Sequence, residues 1–241
     1  MNIFDDLPAN WQELQDRVGQ LFSELGCTAK VGETIELARG KKEVDVLVDD
    51  AVVLPVSRYV VECKHWNAPV PQEVVHSFRT VVADCGAHRG FIVSKAGFQA
   101  GAYEAVRKTN IELCTFKELQ ELFFNRWKEA IAVKYMPYAD RLFPFWDPSG
   151  GRRVPAHWGP CDIEKLHLLN AAYQPFLDLG PSLAHNGYTL RHLPFKVPIL
   201  DDTFAIIGEL ELNSYRQFYD FISATRDVSL ARYEALFAER P

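Results

Sequence analysis

Between Pro8 and Cys27 the apolar residues Trp11, Leu14, Val18, Leu21, Phe22 and Leu25 recur every three or four positions, the period of a helix buried on one face. Asn10 stands where an N-cap belongs, Glu13 follows as in a capping box, and Gly26 supplies the stop. The pattern then turns strand-like over residues 28–38, 42–50 and 58–66, with Asp49-Asp50 and residues 55–57 as turn chemistry between the last two. Pro69 and Pro71 close that stretch, and helical spacing returns through Val75, Phe78, Val81 and Val82. Phe91-Ile92-Val93 reads as a short buried strand ending in a Gly97 turn. A helix start (98–110), a last strand (111–116) and a further helix (117–131) follow. The order α-β-β-β-α-β-α-β-α predicts an α/β (α+β) fold. It is a mixed central β-sheet flanked by helices, its parallel pairings supplied by two β-α-β passages.

After Lys134 the texture changes. Residues 135–160 are dense in proline, glycine and aromatics, which reads as a packed linker or interaction loop rather than a regular element. Beyond them, residues 161–179, 214–227 and 229–240 carry helical patterns, and residues 187–200 read as extended or irregular. The expected organisation is one domain over 1–134 and a mainly helical C-terminal region over 135–241, a docking module for a partner or a nucleic acid.

Composition narrows the setting. No run in the 241 residues approaches the roughly 20 apolar positions that cross a bilayer, and the acidic N-terminus lacks the pattern of a secretory signal. Five scattered cysteines, with no Cys-x-x-Cys spacing, read as free thiols in a reducing compartment; the expectation is a cytoplasmic protein. A net charge of −6 argues against a free-standing nucleic-acid binder, since phosphate neutralisation supplies most non-specific affinity. Local basic patches remain open, and Arg39, Lys41 and Lys42 form one, either a phosphate-backbone contact or a solvated turn.

The chemistry concentrates in residues 60–67, VVECKHWN. Strand alternation puts Glu62 and Lys64 on one side, with Val61, Cys63 and His65 on the other. The two charges are either a solvated ion pair or half of an active site. Upstream, Asp45 interrupts the apolar run KEVDVLV, where a lone carboxylate is costly. If the two strands are antiparallel neighbours, Asp45 lies beside Glu62 and Lys64. Two converging carboxylates repel unless a cation sits between them, and oxygen ligands suit Mg²⁺. A lysine beside such an ion can position a water and help it lose its proton, giving a hydrolytic centre for phosphate esters.

Asp45, a spacer of sixteen residues, then Glu62-Cys63-Lys64 resembles the core motif of the PD-(D/E)XK, restriction-endonuclease-like superfamily. The surroundings resemble its Mrr-type branch. These are an opening helix ending in Leu25-Gly26, an aspartate strand, a helix after the lysine motif, and Ile92-Val93-Ser94-Lys95-Ala96-Gly97-Phe98 leading into an Ala-containing helix. The resemblance covers roughly residues 10 to 120. It implies Asp45 and Glu62 as metal ligands, the main-chain carbonyl of Cys63 as a third, and Lys64 acting on the attacking water. It also points to Glu13 and Gln72 as accessory residues, Glu13 having a rival role as capping-box partner of Asn10. Val44 stands where the family's proline would precede the aspartate.

What the resemblance implies is a Mg²⁺-dependent endodeoxyribonuclease, with Mn²⁺ as a substitute ion and DNA as substrate, in prokaryotic restriction-like defence. The acidic charge adds an expectation of a protein partner or homo-oligomer through the C-terminal region. The alternative is an inert nuclease-fold scaffold that acts through that region. Ser94 and the histidines show no nucleophile or metal spacing. Phe143, Phe145, Trp146 and Trp158 either stack bases or, more blandly, pack the second domain onto the first.

Overall fold

The computed structural model describes residues 2–38, 40–52, 54–146, 154–177, 179 and 193–238. The chain divides into two compact units, Met1–Ala130 and Ile131–Pro241.

In the first unit, helix α1 (Trp11–Glu24) is followed by β1 (Thr28–Leu37), β2 (Gly40–Asp50), β3 (Ser57–Lys64), α2 (Gln72–Asp84) and β4 (Arg89–Ser94). Helix α3 (Ala100–Val106), β5 (Ile111–Thr115) and α4 (Phe116–Trp146) complete the order. The five strands form one sheet in sequence order, antiparallel from β1 to β3 and parallel from β3 to β5. The two parallel joins are the β-α-β passages through α2 and α3, as the element order predicts.

One face of the sheet buries Val60, Ile92 and Ile111 against Val75, Phe78 and Val82 of α2 and Ala102 of α3. On another aromatic cluster, Phe22 of α1 lies 5.1 Å from Phe123 of α4 and 6.2 Å from both Tyr59 and Phe91, centroid to centroid. The α1 stripe is buried at Leu14, Val18, Leu21 and Phe22, whereas Trp11, at its first position, is exposed.

Strand β2 departs from simple alternation. Its register with β1 runs from Thr28–Asp49 to Val31–Val46, omits Gly32 and Asp45, and resumes at Glu33–Val44. Gly32 has φ of +65°, a conformation that side-chain-bearing residues rarely adopt. Across this break the faces exchange: Val44 and Leu47, three residues apart, enter the same core cluster. Sequence alternation puts them on opposite faces; the paired irregularity corrects that.

The second unit holds the end of α4, α5 (Pro160–Ala172), α6 (Gln174–Leu177), a hairpin of β6 (Phe195–Leu200) and β7 (Ile206–Leu212), and α7 (Tyr215–Phe237). Two expectations are corrected here. Residues 135–146 are not a loop: α4 continues through Pro137 and Pro144 to Trp146. Tyr135, Ala139, Leu142 and Phe145 recur at helical spacing and are all buried, and that packing outweighs the roughly 3 kcal/mol a mid-helix proline costs. The aromatics pack within this unit. Phe145 stacks on Tyr233 at 5.2 Å, Trp158 meets Phe237 at 4.6 Å, and Trp146 Nε1 donates to the Tyr233 hydroxyl at 2.9 Å. Phe143 is exposed. Strand β7, five of whose seven residues are exposed, carried no recognisable burial pattern in the sequence.

Candidate active site

The β2–β3 register runs from Asp50–Ser57 to Val46–Val61 and ends there; one further step would set Asp45 opposite Glu62. Where the ladder ends, a backbone amide needs another partner. Asp45 provides it: its Oδ2 accepts the Cys63 N–H at 2.6 Å. Its Oδ1 accepts from Gln15 Nε2 of α1 at 2.8 Å. The aspartate is thus held by a strand it does not pair with and by a helix side chain. Burial pushes its pKa up; the Cys63 N–H counteracts, the neighbouring negative charge of Glu62 raises it further, and Lys64 and Lys42 pull it down.

Glu62 and Lys64 point together from β3 and form an ion pair through Glu62 Oε1 and Lys64 Nζ. Their side chains are only 14% and 17% exposed, so this is not the solvated surface pair of the blander expectation. Lys64 Nζ also lies 5.4 Å from the centre of the Trp66 ring. A cleft of about 320 Å³ opens beside them, bounded by Lys42, Glu62 and Lys64 from the strands, by Trp66 just beyond β3, and by Glu73 and Ser77 from α2.

The structure therefore brings together Asp45, Glu62 and Lys64. It does not bring Glu13 to them. Glu13 Oε2 accepts the Ala9 N–H at 2.7 Å, its Oε1 pairs with Arg17, and its own N–H is capped by Asn10 Oδ1 at 2.9 Å. That is the capping role, with the reciprocal bond one residue earlier than expected, and the Ala9 hydrogen bond and then Arg17 hold the carboxyl below its usual range. Gln72, the first residue of α2, has its Oε1 2.8 Å from where a Cβ on Gly101 of α3 would stand. Lys41 pairs with Glu36 across the β1–β2 hairpin at 3.4 Å, while Lys42 lines the cleft; Arg39 lies outside the described residues.

Gln15, Glu73, Ser77 and Trp66 are site residues that sequence reasoning passed over. Gln15 could have been found: it is two residues beyond Glu13 on the same helix and is uncharged, which removes the signal of an acidic residue without removing the position. Glu73 and Ser77 share one face of α2 by their four-residue spacing. Cys63 is buried, and burial first, then the charges of Asp45 and Glu62, drive its thiol pKa well up. His65 Nε2 donates to the Pro8 carbonyl at 3.0 Å, and the Ser94 hydroxyl donates to the Gly97 carbonyl at 2.9 Å; both serve structure.

A mixed sheet presenting an acid on its second strand and acid-x-lysine on its third, between helical layers, has the arrangement of a restriction-endonuclease-like fold. The restriction endonuclease family model of Mrr type matches residues 8–123, so this segment is similar to that family. The match ends within the first unit, a little under half of the chain. No curated protein matches the chain in sequence. Among solved structures, the chain is similar to the crystal structure of a protein of unknown function, AF1548. Identity is 17%, over 73% of this chain and 91% of that one, with a TM-score of 0.39, a likeness too distant to bear on function.

Proposed function

We propose that residues 1–134 are a Mg²⁺-dependent endonuclease domain that hydrolyses DNA phosphodiester bonds, acting in the cytoplasm in restriction-like defence. The observation that carries this reading is the seat of Asp45, held by the Cys63 amide at the point where Glu62 and Lys64 leave the same strand. Two half-buried carboxylates and one lysine, drawn onto a sheet end, are costly as pure structure.

Among the described residues no three His, Cys, Asp or Glu side chains form a ready metal cage. The donor set that fits is smaller: the carboxylates of Asp45 and Glu62, with the Cys63 main-chain carbonyl as the third oxygen that the family resemblance implies. All three are hard oxygen donors, and a set this small leaves room for the waters Mg²⁺ retains. When bound, such an ion supplies charge stabilisation for the phosphoryl oxygens and acidifies a water.

The chain's own groups do the rest. Gln15 and the Cys63 amide fix the orientation of Asp45, leaving its remaining lone pairs for a ligand. Lys64, an ammonium paired with Glu62, would donate a hydrogen bond that orients the attacking water and offsets the negative charge left as the water's proton passes to solvent. Lys42 places a second positive charge at the cleft, where a phosphate of the substrate strand arrives. Residues 135–241 are read as the module that docks a protein partner or a second copy, which would compensate the acidic net charge. Among the described residues no helix is long and apolar enough to cross a membrane.

The test is incubation of the purified chain with supercoiled plasmid in Mg²⁺, Mn²⁺ or EDTA, beside Lys64→Ala. Cleavage that needs the metal and falls at least 100-fold in the variant supports the reading. Cleavage that persists in EDTA or in Lys64→Ala refutes it.

A further inference from the structure

We propose that the cleft beside Lys64 holds one unpaired nucleobase of the nucleic acid bound at this site, stacked on Trp66 and read at its edge by Ser77 and Glu73. The assignment deepens the nuclease reading and rests on it for the word substrate; the binding it describes is measurable without cleavage.

The first observation is Trp66 itself. Its side chain follows Lys64 by two residues, is 44% exposed, and lines the cleft instead of joining the core. An aromatic ring left half in water beside a lysine can serve as a stacking platform for a base, because every base has a π-face. The second is the cleft's chemistry. Val74 and the edge of the buried Phe78 line the cleft together with the charged Lys42, Glu62 and Lys64. Its volume, about 320 Å³, is at the small end of ligand sites and suits one nucleotide rather than a duplex.

The third observation is the pair on α2. Glu73 and Ser77, four residues apart, bring a carboxylate and a hydroxyl to the same cleft. An ionised carboxylate only accepts hydrogen bonds, so it favours bases with an exocyclic amine, which cytosine, adenine and guanine carry and thymine lacks. A base inside a duplex presents neither face to a ring. The occupant therefore comes from a single-stranded segment, a junction or an extruded nucleotide, the first two avoiding the unstacking cost. The class of nucleic acid assigned to the site is DNA with an unpaired stretch beside the phosphate under attack.

The experiment uses the full chain in EDTA, where no metal-dependent cleavage occurs. Fluorescence anisotropy measures the Kd of labelled oligodeoxycytidine, oligodeoxythymidine and a blunt hairpin duplex. Wild type is expected to bind oligodeoxycytidine best and the duplex worst. Trp66→Ala should raise the Kd for oligodeoxycytidine about tenfold or more, Trp66→Phe should restore most of it, and Glu73→Gln should shrink the preference over oligodeoxythymidine. Circular dichroism of each variant checks folding, which substitution of an exposed ring leaves intact. No single-strand binding by wild type, or equal binding by Trp66→Ala, overturns the assignment. Trp66-dependent binding in a protein that never cleaves would sink the nuclease reading and leave this pocket standing. Cleavage whose KM ignores Trp66 would do the reverse.

Discussion

The Asp45 carboxylate on β2 closes onto the Cys63 amide of β3 at 2.6 Å, one step beyond the last ladder pair of the two strands. The same oxygen pair takes Gln15 from α1, so three elements meet at one carboxylate. The price is electrostatic: burial raises the pKa of Asp45 above its ordinary 3.8, and Glu62 adds to the rise.

That shift has a sign. Between 3.8 and the raised value the native state binds more proton than the unfolded chain, so stability falls as pH rises through this window. At neutral pH the penalty is complete. Asp45→Asn removes the charge, and its Tm in EDTA is expected to equal or exceed that of wild type, although it no longer cleaves DNA. Adding Mg²⁺ at about 100 times its Kd should stabilise wild type by about 2.7 kcal/mol, roughly 5–10 °C, and leave the variant unmoved. Calorimetric scans of both proteins with and without metal make the comparison, and an equal metal response in the two removes Asp45 from the ligand set.

Gly32 faces the break in β2 from the neighbouring strand. Its positive φ, not crowding, is the constraint, since an added Cβ would come no closer than 3.7 Å to the Glu43 carboxylate. Gly32→Ala is expected to cost about 1–2 kcal/mol by chemical denaturation. It should also depress cleavage disproportionately, because the register break that exposes Asp45 depends on it. A variant as stable and active as wild type would show that the break has another origin.

Asp50, at the far end of the same strand, is 1% exposed and held by both guanidinium nitrogens of Arg126 at 2.6 and 2.7 Å, with the Tyr59 hydroxyl donating at 2.9 Å. Those Arg126 hydrogen bonds lead in lowering its pKa to about 2. The stability this confers is fully present above 3.8 and is lost as pH falls through about 2. Arg126→Met should cost about 3–5 kcal/mol at pH 7, since it leaves the buried Asp50 carboxylate unmatched, and Asp50→Asn should cost less, because the Arg126 side chain is 26% exposed. The gap between wild type and Asp50→Asn should narrow as urea midpoints are followed from pH 5 to pH 2. A gap independent of pH would assign the loss to packing alone.

The order of elements over residues 8–131 is legible from the chain because apolar period encodes helix and strand directly, as the α1 stripe and the Phe91-Ile92-Val93 run show. The proximity of Asp45, Glu62 and Lys64 followed from the chain only on the condition that the two strands pair antiparallel, and the register that meets the condition is a property of the folded sheet. Tertiary structure alone decided the rest. Glu13 had two uses open to it, and the nearness of Ala9 and Arg17 chose the cap over the site. The break at Gly32 and Asp45 reverses the side-chain faces of two strands at once, which no alternating pattern can announce. Helix α4 runs through two prolines because four buried side chains repay their cost, a sum that exists only when the partners are in place. The cleft depends in the same way on residues 42, 62–66 and 73–78 meeting across strands and a helix. Period is a property of neighbours in sequence, and a site is a property of neighbours in space.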